Sequence, residues 1–159
     1  RPDDERIPDS FEIARKMSLS YSFGIANLTS AHPNSVVLEV KGKSGRTLEV
    51  QACSLGGGRI MINRLDGLDV NCSCEIPTLI VHNLDQPGHV AEVTSMLAHK
   101  SVNIANMSLY RDKRGGSAVM VVEMDQPLPK ESLEWLEHLE GIVKVTYINV
   151  TEGEEDDVL

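Results

Sequence analysis

The stretch HNLDQPGHVAEVTSMLAHKSVNIANMSLYR, residues 82–111, changes its pattern twice. An apolar run over 78–83 leads into it and reads as a strand. Asp85-Gln86-Pro87-Gly88 then breaks the run, because proline fixes φ and glycine permits a tight turn. From Gly88 or His89 onward, Val90, Val93 and Leu97 recur at helical spacing. Asn103 opens a second strand over 103–111.

Working outward, Lys113-Arg114-Gly115-Gly116 is turn chemistry and 117–124 a third strand. Pro127 and Pro129 bracket a helix start, Leu133, Leu136 and Leu139 share one face, and Gly141 reads as the C′ stop. A last strand covers 142–150. The order βαββαβ is the ferredoxin-like plan, and right-handed crossovers place both helices on one face of a four-stranded sheet.

Upstream, Glu75-Ile76-Pro77 marks a boundary, since proline biases its predecessor toward extended backbone. Strands are expected over 36–40, 47–53, 59–65 and 68–72, with Leu48, Val50 and Ala52 on one face and Ile60 and Ile62 sharing another. Asp66-Gly67 signals a type I′ hairpin, which needs positive φ at both central residues. Asp9-x-x-Glu12 has the form of a capping box before a helix carrying Phe11, Ile13, Ala14 and Met17, and 21–28 alternates loosely as a strand would. The first half therefore reads as a helix with a mostly antiparallel sheet. The acidic tail over 151–159 is expected to fray.

The chain has 159 residues, 41% hydrophobic and 25% charged, with only 4% aromatic, so its cores rest on Val, Ile, Leu and Met. A net charge of −9 repels phosphate backbones and argues against nucleic acid. No apolar run approaches the roughly 20 residues of a membrane-spanning helix. No signal peptide is visible, and three sparse cysteines suit free thiols in a reducing compartment, so a cytoplasmic location is expected. The opening RPDDERIPDS reads like the middle of a longer chain.

Four features bear on chemistry. Asn83 and Asp85 flank the Pro-Gly loop as hydrogen-bonding groups, and Asp85 suits an ammonium. Gly88 lets a carboxylate approach the unpaired N–H groups of the helix N-terminus. Asn103 carries an amide that donates and accepts, which suits an α-amino acid. The same residues also make an ordinary βα connection. Gly56-Gly57-Gly58 precedes a strand, so a bulge or an interdomain contact is expected there rather than a phosphate cradle. Cys72-x-Cys74, with Cys53 and His82 supplied from elsewhere, could enter a metal site, but ordinary buried thiols are the stronger reading. The five histidines form no catalytic motif and no nucleophile elbow occurs, so no catalytic residues are assigned.

TLIVHNLDQPGHVAEVTSMLAHKSVNIANMSLYR resembles an ACT domain, the small-molecule regulatory module of amino-acid metabolism. DDERIPDSFEIA, AHPNSVVLEV and CSLGGGRIMINRLDG resemble the beta subunit of bacterial iron–sulfur-dependent L-serine dehydratase. The resemblance implies an α+β fold. Its ferredoxin-like ACT domain lies over 78–150, after part of an α/β allosteric-substrate-binding-type domain over 1–76. It implies a catalytic alpha subunit that holds a 4Fe–4S cluster and deaminates L-serine to pyruvate and ammonia, with no cofactor on this chain. It also implies an ACT-mediated homodimer. L-serine, another small effector or a cation would sit between modules, at Asn83, Asp85, Gly88 and Asn103 with His89 close by. The family's upstream Ser-Ser-His-Thr-type segment does not occur in this sequence, nor do the cluster-binding cysteines. The alternatives are the C-terminal regulatory region of a D-3-phosphoglycerate dehydrogenase and an assembly domain with a vestigial site.

Overall fold

A computed structural model describes residues 4–29 and 31–149. The chain divides into two compact units at residues 33 and 34. In the first, a turn of 3-10 helix, Ile7–Asp9, runs directly into α1, Ser10–Lys16. The expected capping box does not form: Asp9 sits at φ −93°, ψ 3° with no side-chain cap. An N-cap needs extended backbone to aim its carboxylate at the following amides, and the preceding turn denies Asp9 that conformation. No strand forms over 21–28. A strand must satisfy its amides on a neighbour, and instead Tyr21 and Phe23 gather on Phe11, at centroid distances of 5.4 and 6.1 Å.

The second unit begins with a meander of four antiparallel strands: β1 (Ser35–Lys41), β2 (Thr47–Gly56), β3 (Arg59–Leu65) and β4 (Leu68–Cys72). Asp66 and Gly67 close β3–β4 at φ 45° and 83°, the conformation expected of that hairpin. Gly57 and Gly58 make the β2–β3 turn with φ 62° and 77°, and a register shift between Ser54 and Gly56 supplies the expected bulge. Ile62 is buried, while Ile60, beside this turn, stays half exposed.

The element order then continues as β5 (Thr78–Leu84), α2 (His89–His99), β6 (Ile104–Arg111), β7 (Ser117–Met124), α3 (Lys130–Glu137) and β8 (Ile142–Ile148). The sheet order is β6-β7-β5-β8, and every pairing is antiparallel. This is the α+β ferredoxin-like arrangement. The core face of α2 is formed by His89, Val93, Met96 and Leu97, not by Val90, which is exposed. The helix ends at His99, and α3 ends at Glu137 with His138 as its C-cap, so Gly141 lies beyond the C′ position expected for it.

The central strands β5 and β7 are covered on both faces. Leu79, Val81, Met120, Val122 and Met124 pack with Val93, Leu97 and Leu136 of the helices. Ile80, Val119 and Val121 pack on the other face with Ala52, Ile62, Leu65, Val70, Cys72 and Cys74 of the meander and its exit. Burial on both faces makes these strands read as continuous apolar runs rather than alternating ones.

This two-faced burial sets the outcome of a pair of truncations. Leu79 and Ile80 point to opposite faces, and each is 0% exposed. Leu79→Ala and Ile80→Ala should each lower unfolding free energy by about 2–5 kcal/mol in urea titrations. A sheet with one wet face would lose stability in only one of the two.

Candidate functional site

The loop after β5 is built by short-range constraints. The Gln86 amide donates to the Leu84 carbonyl at 2.8 Å, turning the chain sharply, and Pro87 fixes the next step. Gly88 starts α2 at φ 112°, and a Cβ there would meet nothing within 4 Å. Glycine is thus required by its dihedral, and the space in front of the helix is open. With no side-chain cap at this end, the first amides of α2 face that space carrying the positive end of the helix dipole.

Two buried acceptors border the same end. Asn83, 5% exposed, donates through Nδ2 to the Leu84 carbonyl at 2.6 Å, and its Oδ1 is buried with no hydrogen-bond partner. His89, 7% exposed, places Nδ1 3.2 Å from Glu92 Oε2, and its Nε2 is likewise buried without one. A Cβ on Gly141 would lie 2.6 Å from that Nε2, so the ring occupies the room glycine leaves. Gly141 also sits at φ 80° and accepts the Leu84 amide through its carbonyl at 2.9 Å.

Asp85 is already engaged within the chain. Its Oδ2 accepts from the Gly115 amide at 2.8 Å and from Arg111 Nη1 at 3.1 Å, while its own amide donates to the Gly116 carbonyl at 2.9 Å. The Gly115 amide, with Arg111 assisting, holds the carboxyl below the ordinary carboxylate range. Asp85 therefore fastens the loop to the β6–β7 turn. Asn103 lies at the other end of the sheet. Its amide donates to Gln126 Oε1 at 2.7 Å and its Nδ2 to Asp125 Oδ2 at 2.6 Å. Leu84 pairs with Ser117 and Ile104 with Met124, so the length of β7, about 23 Å at ~3.3 Å per residue, separates Asn103 from the loop. One chain brings Asn83, Asp85, Gly88 and His89 together and leaves Asn103 apart.

A second polar cluster escaped the sequence reading. His82 projects from β5 toward the meander, with Nε2 3.6 Å from Asp66 Oδ2. Lys144 reaches the same oxygen at 2.5 Å and donates to the Thr47 carbonyl at 2.7 Å. Arg46 donates to the Val145 carbonyl, to Thr146 Oγ1 at 3.2 Å and to Glu137 at 3.4 Å. A cavity of about 620 Å³ opens beside Arg46, Lys144 and Glu137. Burial pulls the His82 imidazole below its usual 6.5 even though Asp66 opposes the shift. Burial pushes Asp66 up, but the Lys144 ammonium and the Glu49 amide outweigh it and the carboxyl lies below its usual value. Only an apolar run containing one histidine hinted at this cluster, because its members stand up to about 100 residues apart.

Among the thiols, Cys72 and Cys74 meet while Cys53 is buried on β2. Among the described residues, no three His, Cys, Asp or Glu side chains converge as metal ligands. Among the described residues, no helix is long and apolar enough to cross a membrane.

The ACT-domain profile matches residues 77–140. A protein named probable L-serine dehydratase, beta chain, from Bacillus subtilis (strain 168) is 32% identical over 145 residues, 91% of this chain and 66% of the relative. The L-serine dehydratase beta chain of Peptoniphilus asaccharolyticus is 30% identical over 150 residues, 94% of this chain and 68% of the relative. The chain thus spans about two thirds of the length of these relatives. A D-3-phosphoglycerate dehydrogenase of Methanocaldococcus jannaschii is 31% identical over 90 residues, covering 57% of this chain and 17% of the relative.

Two outcomes follow from the geometry. The unfolded chain protonates His82 near 6.5 while the folded chain resists it, so stability should fall as pH drops through that value. His82→Gln should flatten the slope of unfolding free energy between about pH 7 and 5, measured by urea midpoints. Gly141→Ala should cost about 2 kcal/mol or more, from the left-handed backbone and the collision with His89. His89→Ala in the same chain should recover the part due to collision, read from thermal unfolding of the single and double variants.

Proposed function

We propose, starting from the fact that this chain belongs to the L-serine dehydratase beta-chain family, that it is the regulatory chain of such an enzyme and that its ACT module senses a small zwitterion, L-serine. A catalytic alpha chain would carry the 4Fe–4S cluster and the deamination. Residues 1–76 correspond to part of the domain that precedes the module and 78–150 to the module itself.

The observation that carries the reading is the open, uncapped N-terminus of α2 beside two buried acceptors that lack donors. A carboxylate suits the amides of that helix end. An ammonium supplies an N–H group for Asn83 Oδ1, in a place where an unsatisfied acceptor costs about 1–3 kcal/mol, while His89 Nε2 faces Gly141. Asp85 contributes charge at the mouth through the carboxylate it shares with Arg111.

Asn103 would enter from a second copy. β6 is an outer strand, bonded to β7 alone in its sheet, and its free edge can pair with a partner's. Antiparallel pairing of β6 with β6 about a two-fold axis carries the start of the partner's strand to the end of this one, where Arg111 and Asp85 lie. Four residues from one chain and one amide from the other would then enclose the ligand. The dehydrogenase alternative is weaker, because the archaeal dehydrogenase aligns over 57% of the chain and that of Bacillus subtilis (strain 168), over 87% of it, is 24% identical, against 32% and 30% over 91% and 94% for the beta chains.

Calorimetric titration of L-serine onto the dimer, its mass checked by light scattering, tests the reading. Saturable heat at or below millimolar serine is expected, with Asn83→Ala and Asn103→Ala each weakening affinity about tenfold or more. A confirmed dimer that gives no heat at millimolar serine would overturn the effector assignment. Saturable heat with unchanged affinity in both variants would overturn the placement of the site at these residues.

A further inference from the structure

Cys72 and Cys74 lie outside the effector site and have no part in it. Cys72 ends β4 and faces Ile62 across the β3–β4 ladder, while Cys74 stands at φ 53° two residues later. Along an extended strand, residues two apart lie about 6.6 Å from each other. The left-handed turn at Cys74 folds the chain back and brings the two sulfurs to 3.0 Å. That backbone costs a non-glycine residue about 1–2 kcal/mol, so the surroundings must enforce it. The pair is 2% and 6% exposed and lies in the core shared by both sheets, on the segment that leads from β4 into β5. Glu123 stands beside it, with Oε1 3.9 Å from Cys72 Sγ, fixed by Ser73 at 3.2 Å and Asn106 at 2.9 Å.

We propose that Cys72 and Cys74 are a two-electron redox pair, oxidised by a peroxide to an intrachain disulfide that locks the segment joining the meander to the second sheet. A disulfide measures about 2.05 Å, so closure needs about 1 Å of sulfur movement. The Cys72 sulfur attacks one oxygen of hydrogen peroxide, the O–O bond breaks, and the second oxygen leaves as water with the proton Cys72 gave up. The Cys74 sulfur then attacks the resulting sulfenic sulfur. The S–O bond breaks, and the oxygen departs as water with the Cys74 proton. Two thiols and one peroxide give one disulfide and two waters, each sulfur losing one electron and each oxygen gaining one.

Either thiol can donate to the other across the 3.0 Å contact. The contact holds Cys72 below the usual thiol range, while the contact and burial push Cys74 above it, and we assign Cys72 as the attacking sulfur and Cys74 as the resolving one. Burial restricts entry to oxidants of about the size of water. Constraint of the 72–74 ring makes the bond easy to reduce again.

The test uses the whole chain with Cys53→Ser, treated with stoichiometric hydrogen peroxide, blocked with an alkylating reagent and mapped by peptide mass. The expected product is a single Cys72–Cys74 link within one chain, lost on adding dithiothreitol. In Cys74→Ser, Cys72 should be trapped as a sulfenic acid by dimedone, and in Cys72→Ser the labelling of Cys74 should be at least about tenfold less. Two alkylated thiols after peroxide treatment, or links only between chains, would overturn the proposal. Equal dimedone labelling of the two variants would overturn the assigned order. If a variant fails to fold, the link map of the Cys53→Ser chain decides alone.

Discussion

The burial of β5 and β7 on both faces is the constraint from which the rest of this structure follows. Leu79 and Val81 need helices above them, and Ile80, Val119 and Val121 need the meander below. Neither covering layer can be removed without exposing a full row of aliphatic side chains, at roughly 25 cal/mol per Å² of apolar surface. Polar chemistry is thereby driven to the strand ends, where the β5–α2 loop and the segment before β5 emerge. The exception is His82, within β5, where burial disfavours the charged imidazole, Asp66 at 3.6 Å opposes that shift and the Lys144 ammonium adds to it.

The same constraint explains what could be read from the sequence. TLIV and AVMVV are unbroken apolar runs, so their strands were evident, and Asp66-Gly67 announced its turn because few other pairs accept two positive φ angles. The Pro-Gly loop was legible for the same reason. Local chemistry did not reveal His89 as a core residue in place of Val90, since a histidine on the apolar face of a helix is seen as buried only once Gly141, 52 positions later, makes room for it. Nor did it reveal that 21–28 lacks a ladder partner. Alternation reports which side chains could share a face, not whether a neighbour exists to take the amides. Arg111 and Gly115 stayed hidden as the partners of Asp85 because the contact spans 26 and 30 residues.

Asp85 links the loop to the outer strand through this hidden contact. Its carboxylate holds Arg111, the last residue of β6, and the Gly115 amide in the following turn. On the proposed reading, a ligand ammonium at the mouth competes with Arg111 for the same charge. Any such competition changes the free energy of the β6 end, where a second copy would pair. A ligand shifts an arrangement only by as much as it binds the two arrangements differently, and shared use of Asp85 provides that difference.

The position of Asn103 ties ligand binding to pairing of two chains. An effector that needs this amide cannot be fully held by one chain, because about 23 Å of β7 separates it from the loop. If the partner supplies it, binding and pairing become linked equilibria, and the factor by which pairing tightens the ligand must equal the factor by which the ligand tightens pairing. A sensor of this design reports concentration through association rather than through a change inside its own core. That suits a sheet whose central strands are clamped on both faces and have little freedom to move. The adjustable parts are the outer edge of β6 and the loops at the strand ends, and those are the parts where the polar residues of the site are placed.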